Sequence, residues 1–425
     1  MKKTLAILII LSLALVFGCA KKEEAVAETE DVAAEETEIL AAQELTPKEE
    51  LGRRLFFDSR LSEPEGQACA SCHGPTVGWT GPDEDVNKAG SVYPGALAPR
   101  FGNRKPPAAS YAGFSPNLHR DEEGTFVGGM FWDGRATGWT LDDPIAEQAM
   151  GPFLNPLEQN MSDNKAVVQK VVDSDYAALF KEVWGEDSLN IEDPDATYEK
   201  IARSIAAYER SGDVTKFTSK FDDFWRKATK AGLDVNSIDE NNMDRFQNLG
   251  LSEDELKGFV LFTTTGMCSQ CHVLDSVDGN PPLFTDFTYD NLGVPKNPDN
   301  PFYKMDKKWN PDGEKWVDKG LGGFLETTEE YKQYAQENMG KQKVPTLRNV
   351  DLRPFEGFVK TFTHNGFFST LKEVVNFYNI RDKESSSWPP PEVAENVNID
   401  EMGDLGLTPE EEDLIVLFMK TLSDR

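Results

Sequence analysis

The sequence predicts a mainly α-helical chain built from two similar modules, and three observations carry that reading. The segment Cys69-Ala70-Ser71-Cys72-His73 recurs as Cys268-Ser269-Gln270-Cys271-His272. Each copy follows an apolar stretch with helical spacing and a capping signal at its start. No sustained period-2 alternation occurs, and loops hold most of the 25 Pro and 33 Gly. Cys-x-x-Cys-His is the attachment signal of c-type haem. The two thiols add to the haem vinyl groups, and the imidazole stands under the iron as its fixed axial ligand. The chain has 5 Cys and 4 His, and only one Cys and two His fall outside these copies. A zinc ligand set is the competing reading. Both pairs end in His and the chain carries an export signal, which favours two covalent haems.

Taken in order, Met1 to Gly18 reads as an export signal, with Lys2 and Lys3 followed by the apolar run Leu5 to Phe17. That run is too short for a permanent membrane span. Residues 19–44 are rich in Ala and Glu and lack aromatic residues, as expected of an extended charged tether. Folded structure is expected from Leu45, where Thr46 and Pro47 start a helix whose apolar face is Leu51, Leu55 and Phe56. This helix and the first haem motif open an N-terminal module over 45–215, with further helices over 160–185 and 198–210. A linker is expected over 216–245. The second module, 246–425, repeats the plan: Ser252 with Glu255 forms a capping-box pattern. The helix runs through Phe259, Val260 and Phe262 to Cys268, and Thr408-Pro409 caps a closing helix ending near Leu422. Helix, haem motif and closing helix outline a class I cytochrome c domain, twice.

At 425 residues the chain has room for two or three domains, and 39% hydrophobic content fills real cores. A formal net charge of −30 excludes nucleic acid, whose binding depends on cations that neutralise phosphate. The acidity either steers a basic redox partner or keeps the protein soluble, and solubility is the simpler reading.

Further motifs stand between and after the haem signals: Phe131-Trp132-Asp133-Gly134-Arg135, Glu147-Gln148-Ala149-Met150-Gly151-Pro152, Asn155-Pro156-Leu157-Glu158, Val344-Pro345-Thr346-Leu347-Arg348-Asn349 and Thr363-His364-Asn365-Gly366. In this order, they resemble the bacterial diheme cytochrome c peroxidase family, which includes the MauG-type enzymes. The resemblance covers about Leu45 to the C-terminus. It implies that peroxide is cleaved at the N-terminal haem while the C-terminal haem relays electrons. It makes Trp132 the bridge between haems, Glu158 the proton-transfer group, and Gln148 and Pro152 its companions in the distal pocket. Without it, Glu158 reads as a surface carboxylate, Gln148 as a helix-face amide and Trp132 as a core aromatic.

The resemblance also bears on the iron ligands, His73 and His272. Conventional members carry Met fourteen residues after the His of the His-x-Gly motif, and that count from His364 lands on Tyr378. MauG-type members have Tyr there. A phenolate stabilises ferric iron and favours higher oxidation states, whereas Met raises the potential. The competing reading is a packed Tyr378, with Met305, Met339 or Met402 on the iron.

Many members carry a distal His in the loop corresponding to Ser91–Gly102, which has none here, so the first iron is expected to be open. His119 is the only spare imidazole in this half, a candidate substitute ligand against the favoured reading of a surface or packing residue. Arg135 and Arg348 are candidates to pair with haem propionates. His364 is expected to be structural, near the second haem. The family's calcium-binding Asn is replaced by Lys105, which opposes calcium unless carbonyls and waters suffice. Val16-Phe17-Gly18-Cys19 resembles a lipobox, implying an acylated Cys19 and a periplasmic lipoprotein. The expected partners are hydrogen peroxide and a small redox protein (cytochrome c or cupredoxin), or an oxidisable protein substrate. The alternative function is a non-enzymatic diheme electron carrier.

Overall fold

The structure, a computed structural model, describes residues 44–425. The expected export signal, most of the tether and Cys19 lie outside the described residues. Eleven α-helices are described: α1 Pro47–Phe57, α2 Glu84–Lys88, α3 Pro144–Leu154, α4 Asn164–Val172, α5 Ala177–Trp184, α6 Pro194–Glu209, α7 Lys220–Lys230, α8 Glu253–Thr263, α9 Gly320–Leu325, α10 Leu371–Ile380 and α11 Pro409–Lys420. Strands are minor: His119–Arg120 pairs antiparallel with Phe126–Val127, and Tyr289–Asp290 with Gln342–Lys343. The fold is mainly helical. None of the described helices is long and apolar enough to cross a membrane.

Both modules start in the same way. Thr46 accepts from the Glu49 backbone N–H while the Glu49 side chain returns to Thr46, and Ser252 with Glu255 does the same at α8. Each reciprocal cap satisfies amide groups that the first helical turn would otherwise leave unpaired. Each first helix then packs against a closing helix through a glycine. A Cβ on Gly52 would stand 1.9 Å from the Ser204 carbonyl oxygen of α6, and one on Gly258 would stand 2.0 Å from that of Leu414 on α11. These separations admit hydrogen only, so the two crossings are as close as backbones allow.

Around the first crossing, Leu51, Leu55 and Phe56 meet Phe153, Val167, Phe180, Ile201 and Ile205 in one buried core. The second core gathers Phe259, Phe262, Phe377, Ile415 and Phe418. Two expectations are corrected. Residues 160–185 form two helices, α4 and α5, separated by Asp173–Tyr176. Residues 216–245 are not a linker: Phe221, Phe224, Val235 and Ile238 are buried in the second core. A Ser219–Asp222 capping box starts α7 there. The halves also interleave, because Leu118 and Phe126 pack with Tyr289, Leu321 and Leu325.

Candidate functional site: two cavities with a common wall

Each Cys-x-x-Cys-His segment forms one tight 3-10 turn. The His73 N–H donates to the Cys69 carbonyl at 3.0 Å, and the His272 N–H to that of Cys268 at 2.9 Å. The turn presents both sulfurs and the imidazole to one side. Nδ1 of His73 lies 3.2 Å from the Trp79 carbonyl oxygen, and Nδ1 of His272 lies 2.8 Å from that of Phe284. That contact fixes each ring with Nδ1 as donor and leaves Nε2 as a free electron pair. Burial pushes His73 down to about 4 and lowers His272 as well, which disfavours the charged form of each ring.

The first turn opens on a cavity whose wall includes Gln148, Pro152, Glu158, Trp132 and Arg135. The local chain explains why they meet. Asp143 caps α3, and Gln148 and Pro152 stand one turn apart on one face. Pro152 then folds the following segment back, since its carbonyl accepts from Asn155 at 3.3 Å and Gln159 at 3.1 Å. That reversal brings Glu158 to the cavity. Burial raises the Glu158 carboxyl, with Arg135 and Asn155 opposing in part. The loop Ser91–Gly102 packs on this segment, with the Ala96 N–H donating to the Glu158 carbonyl at 2.7 Å. It contributes Tyr93, Pro94 and Gly102 to the wall and no imidazole.

The second turn opens on a larger cavity, lined in part by Tyr378, Met402, His364 and Arg348. Tyr378 is carried by α10, which is capped by Thr370 with Glu373 and held by Asn379, whose amide donates to Glu412 at 2.7 Å and the Leu407 carbonyl at 2.8 Å. The Tyr378 hydroxyl makes no hydrogen bond among the described residues, and burial raises its pKa well above the ordinary phenol value. Trp132, Lys105 and Pro107 line both cavities and form their common wall. Trp132 donates from Nε1 to the Lys105 carbonyl at 2.8 Å, and its ring stands edge-on to His364 at 6.4 Å between centroids.

The profile of a family described as di-haem cytochrome c peroxidase matches residues 46–230. The methylamine utilization protein MauG of Paracoccus denitrificans is 32% identical over 392 residues, 88% of each chain. This chain belongs to the di-haem cytochrome c peroxidase family. The cytochrome-c peroxidase IdrP1 of Denitromonas iodatirespirans is 26% identical, over 88% of this chain and 80% of that one. Among solved structures, the diheme peroxidase BthA of Burkholderia thailandensis superposes with a TM-score of 0.70 and 26% identity over 90% of each chain.

Two haems fit this di-haem peroxidase on its own geometry. Three amines at the second cavity, Lys105, Lys343 and Lys360, have no carboxylate within ion-pair distance among the described residues. Their Nζ atoms bond only to neutral oxygens: Thr80 Oγ1 at 2.7 Å, the Gly128 carbonyl at 3.0 Å and the Asn349 carbonyl at 2.7 Å respectively. Burial pushes Lys105 down to about 8 and Lys343 to about 7, and holds Lys360 well below the ordinary amine value. Buried cations without counter-charge are costly, and haem brings two propionates. Lys105, where the resemblance places a calcium-binding Asn, directs its amine to Thr80 Oγ1 at 2.7 Å and the Pro106 carbonyl at 3.2 Å.

The remaining expected residues take different places and partners. Arg348 is buried, but its guanidinium is committed to Asp222 at 2.6 Å and the Pro282 carbonyl at 2.7 Å, so its charge is already neutralised. It acts as a structural clasp rather than a free propionate partner. Arg135 is 40% exposed in its side chain, bonds Asp133 at 2.9 Å and lies over the Phe131 ring. His119 is exposed and outside the cavity walls. Met305 accepts from the Phe101 N–H and Met339 packs with Leu321, neither lining the second cavity; Met402 does line it. Sequence reasoning missed Lys343 and Lys360. A lone Lys reads as surface, and only tertiary burial reveals it.

Proposed function

We propose that this di-haem peroxidase reduces hydrogen peroxide at the first cavity, where Cys69, Cys72, Cys268 and Cys271 would bind the haems covalently and His73, His272 and Tyr378 would hold the irons. The observation that carries the reading is the common wall: one indole touches both cavities, each of which holds its own Cys-x-x-Cys-His turn. The bound haems supply O–O bond cleavage and one-electron transfer. Everything else falls to the chain. Glu158 takes a proton from bound peroxide and returns it to the departing oxygen, a task suited to a carboxyl whose pKa burial has raised. Gln148 offers an amide that orients peroxide. Pro152 holds the fold-back that aims Glu158. Trp132 passes electrons between the cavities, and Lys105, Lys343 and Lys360 hold propionates.

The electrons come from a small redox protein, or from an oxidisable protein side chain in the manner of the MauG relatives. Tyr378 favours the second source, because a hard anionic ligand stabilises oxidised iron. The chain is exported and tethered by acylated Cys19. Intact-mass analysis of the mature protein tests attachment and acylation together: two haems plus lipid are expected, and a mass short of two haems contradicts the reading.

A further inference from the structure

The first cavity holds a second carboxyl group with no task in the mechanism above. Glu209, the last residue of α6, is 6% exposed and lines the same wall as Gln148, Pro152 and Glu158. Its side chain makes no hydrogen bond or ion pair among the described residues. Its neighbour Arg210 does not neutralise it, because that guanidinium grips both oxygens of Asp143 at 2.7 and 3.0 Å. The grip ties the end of α6 to the N-cap of α3, the helix that carries Gln148 and Pro152. Arg210, Asp143, Tyr208 and Cys69 are near enough to interact with its charge, and Cys72, His73, Arg104, Lys105, Arg135 and Glu158 share its cavity. Burial pushes the Glu209 carboxyl up to about 8, with Arg210 opposing. An acid with no structural partner is costly to bury, and at neutral pH it keeps its proton.

We propose that Glu209 is the second proton-holding group of the peroxide site, giving a proton to the second water formed and regaining it from solvent. The inference rests on the peroxide-reducing reading above. Stoichiometry calls for such a group. When Glu158 relays one peroxide proton across the breaking O–O bond, both peroxide protons leave in the first water and Glu158 returns to its starting state. The second oxygen takes two electrons from the reduced partner protein and two protons from elsewhere to become water. Breaking the Glu209 O–H bond delivers one of them, and bulk water restores it.

The test is rapid mixing of the oxidised holoprotein with peroxide, then with a one-electron donor, for wild type and Glu209→Gln. Peroxide cleavage is expected to proceed within about twofold of wild type, while the donor-driven phase slows by about 10²-fold or more. The wild-type phase should fall as pH passes about 8, and the variant should lose that limb. An unchanged second phase with its limb retained overturns the proposal alone. A wild type that fails to consume peroxide overturns the underlying function as well. If the variant does not load haem, infrared spectra of wild type and Glu158→Gln decide. A protonated-carboxyl band that disappears above about pH 8 in both proteins is expected, and its absence overturns the proposal.

Discussion

Replacing Glu158 by Gln keeps the outline of the first pocket and removes the carboxylate that takes up and returns the peroxide proton. The peroxide reaction is expected to slow about 10²–10⁴-fold, with peroxide affinity nearly unchanged, as read by stopped-flow absorption. Replacing Tyr378 by Met exchanges an anionic oxygen for a thioether and should raise the midpoint potential of the second haem in a spectroelectrochemical titration. An unchanged potential would remove Tyr378 from the iron and leave Met402, which shares the cavity. The haem-attachment residues were legible in the Cys-x-x-Cys-His motif itself, whereas Glu158 and Trp132 rested on the family resemblance. Lys343, Lys360 and Glu209 were not, since charge is visible in a sequence but burial is not. Arg348 shows the converse: its type suited a propionate, but Asp222, which claims it, comes from a distant helix.

Among the elements, the helix crossings govern how the turns face their cavities. Gly258→Ala would force a methyl into the Leu414 carbonyl and push α8 from α11. A loss of about 1–3 kcal/mol is expected in denaturant unfolding, together with a perturbed absorption band for the second haem only. The starts of α1, α8 and α11 were readable, because a capping box is a local signal that needs no tertiary partner. α7 was not recognised, although Ser219–Asp222 offers the same signal. Its dense Lys and Asp content hides Phe221 and Phe224, which share one face three residues apart. The break between α4 and α5 was missed for a related reason: apolar spacing continues across Asp173–Tyr176 although the helix does not.

Across the whole molecule, one guanidinium fastens the halves. Arg104 meets Asp318 at 2.6 and 2.7 Å and Asp133 at 2.5 Å, nearly out of solvent. Burial would raise Asp318, but the charge and hydrogen bonds of Arg104 outweigh it and hold the carboxyl well below the ordinary range. Its stabilisation is therefore complete above the unfolded carboxylate value, about 3.9, and is lost as pH falls through the lower folded value. Arg104→Met leaves the buried Asp318 carboxylate without its guanidinium and Asp133 with Arg135 alone, and should cost about 3–5 kcal/mol. The unfolding midpoint should fall, and the deficit should shrink in strong acid.

The central claim is that the first site is open to peroxide and joined to the second through Trp132. Stepwise addition of hydrogen peroxide to the fully oxidised protein, followed by absorption and EPR, tests it most directly. The account predicts that the diferric protein reacts without prior reduction, that signals of both haems change together, and that Trp132→Phe uncouples them. Reaction only after one-electron reduction, or a change confined to one haem, would contradict it.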